Sequence, residues 1–212
     1  MVDLAQVFIA FIVLLFSLTV HETAHAWTAD RLGDPTARLL GRVSLNPVVH
    51  ADLVGTVLFP LLGMLGGVPL IGWAKPVPVN VARLRRRRSD YVLVAAAGPA
   101  SNLLLALGAA LVLALVPAAA AGAGGSGVLA PVLLMLTRAL YVNVMLAVFN
   151  MLPIPPLDGG NVLGGLLPAP LAVRYDSLVR PYGFILLYAL LLTRGFDSLV
   201  VAPARLILSW LT

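Results

Sequence analysis

The sequence has no cysteine, which excludes disulfide bridges and thiolate metal ligands and leaves histidine and carboxylate as the side chains able to hold a metal. Charge is scarce too, with Asp, Glu, Lys and Arg making up 11% of 212 residues. No polar block is long enough to bury its own core, so nothing points to a separate soluble domain. The start, Met1-Val2-Asp3, lacks a basic n-region and the apolar run after it lacks a cleavage site, so it is not read as a removed signal peptide. The net charge of +5 comes mostly from Arg83 to Arg88. A basic stretch in so apolar a chain reads as a topology determinant lying on anionic lipid, and no nucleic-acid partner is expected.

What the chain does have is hydrophobicity: 60% of its residues are apolar and the mean hydropathy is +1.00, well beyond the roughly half expected of soluble domains. The pattern predicts an all-α polytopic membrane protein, one membrane-embedded domain over 1–212, whose first partner is the lipid bilayer. Core transmembrane helices are expected at about 4–28, 91–116 and 128–152, each long enough for a hydrocarbon core of about 30 Å. The apolar stretch 53–73 is broken by glycine and proline, which favours a re-entrant hairpin over a clean span. A short β strand is expected within 37–45 and extended chain over 75–80, with a flexible loop at 117–127. One or two helices are expected over 178–211.

The chemistry concentrates in His21-Glu22-Thr23-Ala24-His25, near the end of the first apolar run. Residues four apart share a helix face, so His21 and His25 can hold one metal while Glu22, the chain's single glutamate, reaches water beside it. Ionisable side chains inside a membrane span are functional by default, because unpartnered charge there is costly. In Pro153-Ile154-Pro155-Pro156-Leu157-Asp158-Gly159-Gly160 the prolines cannot continue a helix, so Asp158 is expected on extended backbone at the membrane boundary. Positive-inside reasoning puts Arg31, Arg38, Arg42 and Arg83 to Arg88 in the cytoplasm. If 53–73 does not cross the membrane, His21, His25 and Asp158 all reach that same side.

These motifs resemble those of the site-2 protease family of intramembrane zinc metalloproteases. The likeness covers most of the chain: His-Glu-x-x-His at 21–25, Gly98-Pro99-x-x-Asn102, and Asn150-x-x-Pro153-x-Pro155-Pro156-Leu157-Asp158-Gly159. Leu45-Asn46-Pro47 and the stretch from Gly72 to Asn80 are similar to the small prokaryotic branch, and no segment is long enough for the family's PDZ domain. The resemblance implies His21, His25 and Asp158 as ligands of one Zn2+, Glu22 as the catalytic carboxylate, Asn150 lining the active site, and a transmembrane protein as substrate.

Three protein ligands would leave a fourth zinc position for water, as in catalytic sites. The unwound substrate is expected to pair with extended chain near 37–45 or 75–81. Gly98-Pro99 and Asn102 suit close helix approach and interhelical hydrogen bonding, and Trp27, Trp73 and Trp210 suit interfacial anchors. His50 reads as either support for the metal site or a structural hydrogen bonder. A metal-binding membrane transporter and a non-catalytic scaffold retaining the fold are the rival readings. Glu22 beside the first ligand argues against both. The sequence carries no signature of oligomeric state.

Overall fold

The computed structural model describes residues 3–66, 73–116 and 129–212. Its helices are α1 (Leu4–Arg31), α2 (Thr36–Leu39), α3 (Phe59–Gly66), α4 (Arg87–Ala114), α5 (Leu129–Asn150), α6 (Asp158–Leu166), α7 (Ala169–Leu178), α8 (Gly183–Leu192) and α9 (Ala202–Leu211). The expected loop at 117–127 lies outside the described residues.

Helices α1, α4 and α5 are long and apolar enough to cross a membrane, as the hydropathy predicts. The Asp3 carboxylate starts α1 by accepting from the Ala5 and Gln6 amides, and its 28 residues extend about 42 Å at 1.5 Å each. Its buried positions Val13, Ser17, His21, His25 and Ala29 recur every four residues. In α4 the same spacing gives Asp90, Val94, Gly98, Asn102, Ala106 and Ala110. The two stripes meet antiparallel, with His21 opposite Asn102 and His25 opposite Val94. Small residues on α4 let its neighbours approach closely, as expected of helix contacts in lipid. Ala106, Ala109 and Ala110 take Leu140 and Val144 of α5 and Ala204 and Leu208 of α9.

Among the described residues no β strand forms, which corrects the strand expected at 37–45. The buried Asp34 carboxylate accepts from the Thr36 amide and hydroxyl, so the chain enters the helical turn α2. Gly41, at φ +68°, then closes that turn in the left-handed region. Within 53–73, expected as a re-entrant hairpin, the described residues 53–66 are helical, and Trp73 at the far end returns to Gly55 through its N–H. Residues Leu53–Leu58 form a π-helix that runs into α3, capped by Asp52 through the Val54 and Gly55 amides. Gly55, Gly63 and Gly66 lie in this helical run, and 67–72 lie outside the described residues.

From Trp73 to Asn80 the chain forms neither helix nor strand. It is pinned to the protein at short intervals: Trp73 N–H donates to Gly55 O, Lys75 N–H to His50 O and Asn80 N–H to Asp34 Oδ2, while Arg42 donates to Lys75 O at 2.6 Å. Pro76 and Pro78 have no amide proton, which removes ladder donors from this edge. Trp73 packs edge-to-face on Phe59 at 5.3 Å and remains 42% exposed. Trp27 and Trp210 are exposed, with Arg31 stacked 5.0 Å from the Trp27 ring.

The C-terminal helices begin earlier than the expected 178. Ala169–Leu192 and Asp197–Leu211 meet at 89°, and together they are apolar enough for one bent span. Leu187 and Leu190 of α8 and Val200 cover Leu152 and Leu157, and so close over the proline run from α5 to α6.

Candidate metal centre

α1 presents His21 and His25 on one face, and α4 receives them. A Cβ on Gly98 would lie 2.6 Å from His21 Nε2 and would overlap His25 Nε2, so only glycine leaves room for both rings. Opposite them stands Asp158. It is not on extended backbone as expected. It is the first residue of α6, reached from Leu157 at φ −64°, ψ 158°, where a carboxylate suits the helix N-terminus. Gly159 and Gly160 pack against the backbone of 151–155 with no room for a side chain. The Tyr175 hydroxyl holds the proline run by donating to Pro153 O at 2.9 Å.

The polar atoms of His21, His25 and Asp158 lie within 4.8 Å of one another. His21 Nε2 is 3.1 Å from Asp158 Oδ2, His25 Nε2 is 3.4 Å from Oδ1, and the two Nε2 atoms are 3.1 Å apart. The outer ring nitrogens decide what these distances mean. His25 Nδ1 lies 2.7 Å from Val94 O, a carbonyl that only accepts, so Nδ1 carries the proton. His21 Nδ1 lies 2.6 Å from Asn102 Oδ1, and Asn102 shows its oxygen there because its Nδ2 donates to Asn143 Oδ1 at 2.7 Å. In the neutral rings both Nε2 atoms are therefore lone pairs. This explains why Asp158 Oδ2, close as it is to His21, is buried without a hydrogen-bond donor among the described residues. Two lone pairs and a carboxylate converging without a proton between them form a donor set that fits a divalent cation.

Glu22, next along α1, lines the same cavity of about 620 Å³ together with Asn150, Asn161, Trp73, Phe149 and Phe184. Its Oε2 accepts from the Val77 amide at 3.1 Å, so the segment 73–80 orients it. Asn150 spends one proton on Leu146 O within its own helix. His50 stands outside the cavity. Its Nε2 lies 2.8 Å from Ser44 O and 3.4 Å from Thr23 Oγ1, a structural hydrogen bonder at the back of α1.

Sequence reasoning missed Ser17, Asn143, the Val77 amide and the Val94 carbonyl. The first two left a signal, since each is an uncharged polar side chain within an apolar span. The backbone groups left none.

The sequence profile of Peptidase family M50 matches residues 9–130 and 125–190. YwhC of Bacillus subtilis (strain 168), named as a candidate zinc metalloprotease, is 37% identical over 186 residues, covering 86% of this chain and 79% of that protein. Rip2 of Mycolicibacterium smegmatis, named likewise, is 33% identical over 184 residues, 86% of this chain and 66% of its own length. Rip2 of Mycobacterium tuberculosis (strain ATCC 25618 / H37Rv) is 36% identical over 146 residues, 68% of this chain and 52% of its own. No solved structure matches the chain. The chain belongs to peptidase family M50, the site-2 protease family, and is a membrane-embedded metalloprotease.

Proposed function

We propose that the chain hydrolyses peptide bonds in or beside the transmembrane segments of other membrane proteins, with zinc held by His21, His25 and Asp158 and with Glu22 moving the proton. The observation that carries this reading is the convergence of the two Nε2 lone pairs and the Asp158 carboxylate beside the chain's one glutamate. When bound, zinc supplies a Lewis acid that polarises a peptide carbonyl and activates water.

The protein's own groups do the rest. With Oε2 of Glu22 engaged by the Val77 amide, Oε1 is the oxygen left to take a proton from the attacking water and return it to the leaving amine. Asn150 retains one amide proton beyond the bond to Leu146 O, and that proton can donate to a substrate carbonyl. Leu18, Phe149, Phe184 and Leu187 make the rest of the cavity apolar, suited to a hydrophobic segment. A transmembrane substrate arrives with its backbone bonds satisfied as a helix, so it unwinds locally before its carbonyl is reachable.

The site faces the cytoplasmic side of the cell membrane in this reading. Arg85 N–H donates to Leu32 O, so the end of α1 and the start of α4 share one membrane face with the arginines. His25 and His21 lie only about 9 and 15 Å along α1 from Arg31.

The test is cleavage of single-span substrates by purified protein in detergent, wild type against Glu22→Gln, with zinc measured on both. Cleavage by the wild type alone is expected, with about one zinc per chain in each. A well-folded wild type that binds no zinc overturns the metal reading, and undiminished cleavage by Glu22→Gln overturns the role of Glu22.

A further inference from the structure

One chain of hydrogen bonds behind the site runs in a single direction across α1, α4 and α5. It starts at a group that cannot reverse, the backbone carbonyl of Ala139. Asn143 Nδ2 donates to that carbonyl at 2.8 Å and to Ser17 Oγ at 2.9 Å, and Ser17 Oγ donates onward to Val13 O at 2.8 Å. A flipped Asn143 amide would set oxygen against the Ala139 carbonyl, so its Oδ1 faces Asn102. Asn102 Nδ2 donates to that oxygen at 2.7 Å, which turns Asn102 Oδ1 to His21 Nδ1 at 2.6 Å. Each amide is thus oriented by the one behind it. Ser17, Asn102 and Asn143 are at most 1% exposed, so water offers no substitute partners.

We propose that Asn143 is a positioning residue for the metal site: acting through Asn102, and supported by Ser17, it fixes His21 as the Nδ1–H tautomer and so keeps the Nε2 lone pair aimed at the metal. With an apolar residue at 143, Asn102 loses the acceptor that orients it, and only Ser17 O remains near Nδ2, at 3.5 Å. A flipped Asn102 presents its NH2 to His21 Nδ1. The imidazole proton then moves to Nε2, where it blocks the ligand atom. Asn143 reaches the metal only through two intervening side chains, yet it governs metal affinity. Ser17 matters less, because Ala139 O alone still orients the Asn143 amide.

The reading of His21 as a zinc ligand underlies the affinity effect, whereas the tautomer can be read without metal. The experiment therefore uses the full chain, labelled with 15N-histidine, metal-free in detergent at a pH where the rings are neutral. Only three histidines contribute signals. The expected result is His21 protonated at Nδ1 in the wild type, in Asn143→Asp and in Ser17→Ala, and an Nε2–H population in Asn143→Leu. A protonated aspartate at 143 donates to Ala139 O and still accepts from Asn102, so it is the rescuing variant. Zinc titration against a competing chelator should then give a dissociation constant raised about 10- to 100-fold in Asn143→Leu, the range for ligands that lose their outer partner, and nearly unchanged in Asn143→Asp. A wild-type tautomer in folded Asn143→Leu overturns the proposal. If Asn143→Leu does not fold, the smaller Asn143→Ala, which also removes the acceptor, decides: an Nε2–H population supports the proposal and the wild-type tautomer overturns it. A wild type with the Nδ1–H tautomer but no zinc binding overturns the metal reading and leaves the relay standing.

Discussion

Gly98→Ala isolates the geometry of the centre in a single methyl group. The added Cβ would lie 2.6 Å from both Cε1 and Nε2 of His21 and would overlap His25 Nε2, whereas ordinary contact begins at 3.4 Å. His21 must then retreat by about 0.8 Å. Both rings are tethered at Nδ1, so the retreat breaks either a tether or the convergence of the ligands. A zinc–nitrogen bond of about 2.0 to 2.1 Å tolerates deviations of only about 0.2 Å. We expect zinc affinity to fall by at least about 10²-fold, in line with the cost of ångström-scale misplacement of a site. The same helix supplies a matched control: a Cβ on Gly108 meets nothing within 4 Å. Gly108→Ala should keep full zinc affinity and gain up to about 1 kcal/mol from helix propensity. Chelator competition on both purified variants, with thermal melting to confirm folding, reads the difference. Wild-type zinc affinity in Gly98→Ala would refute the packing argument.

Val77→Pro removes the amide that donates to Glu22 Oε2; because a hydrogen bond to a charged group contributes about 1.5 to 3 kcal/mol, cleavage should slow by about 10- to 100-fold with zinc content unchanged, read by a cleavage assay beside metal analysis. Asp34 is fully buried and accepts from Thr36 twice and from Asn80, so Asp34→Ala should destabilise the fold by about 2 to 4 kcal/mol, seen as a lower melting temperature. Stripping the metal with a chelator should lower the melting temperature of the wild type, since a ligand at 100 times its Kd adds about 2.7 kcal/mol. Asp158→Ala, lacking one of the proposed ligands, should show little of that chelator response.

The three spans were legible because each is a long apolar run whose length alone meets the thickness of the bilayer. The segments between them were not, because their conformation is set by capping and tertiary contact. Residues 37–45 show the apolar alternation of a strand, but Asp34 engages Thr36 and so commits the chain to a turn of helix. Glycine and proline in 53–66 read as breaks, yet the Asp52 cap and the π-turn absorb them into one helix. Asp158 was legible as a residue of interest. Its place at a helix start was not, because that depends on Gly159 and Gly160 meeting the backbone of the proline run.

The centre itself divides in the same way. A spacing of four on a helix declares His21 and His25, because one dimension suffices to place them on one face. Which nitrogen each ring offers is decided by groups 69 and 81 residues away, and local sequence says nothing about them. Asn102 was legible only as a residue that joins helices. The direction of its amide, which separates a ligand from a blocked one, is inherited from Asn143 and in the end from the Ala139 carbonyl. Polar side chains in a span therefore have to be read as a set. Asn102 donates to Asn143, and Asn143 donates to Ser17 and to Ala139 O, so each buried amide finds its partners within the set and the backbone behind it. In the proposed reading, the same bonds that satisfy these amides keep the His21 Nε2 lone pair toward the metal.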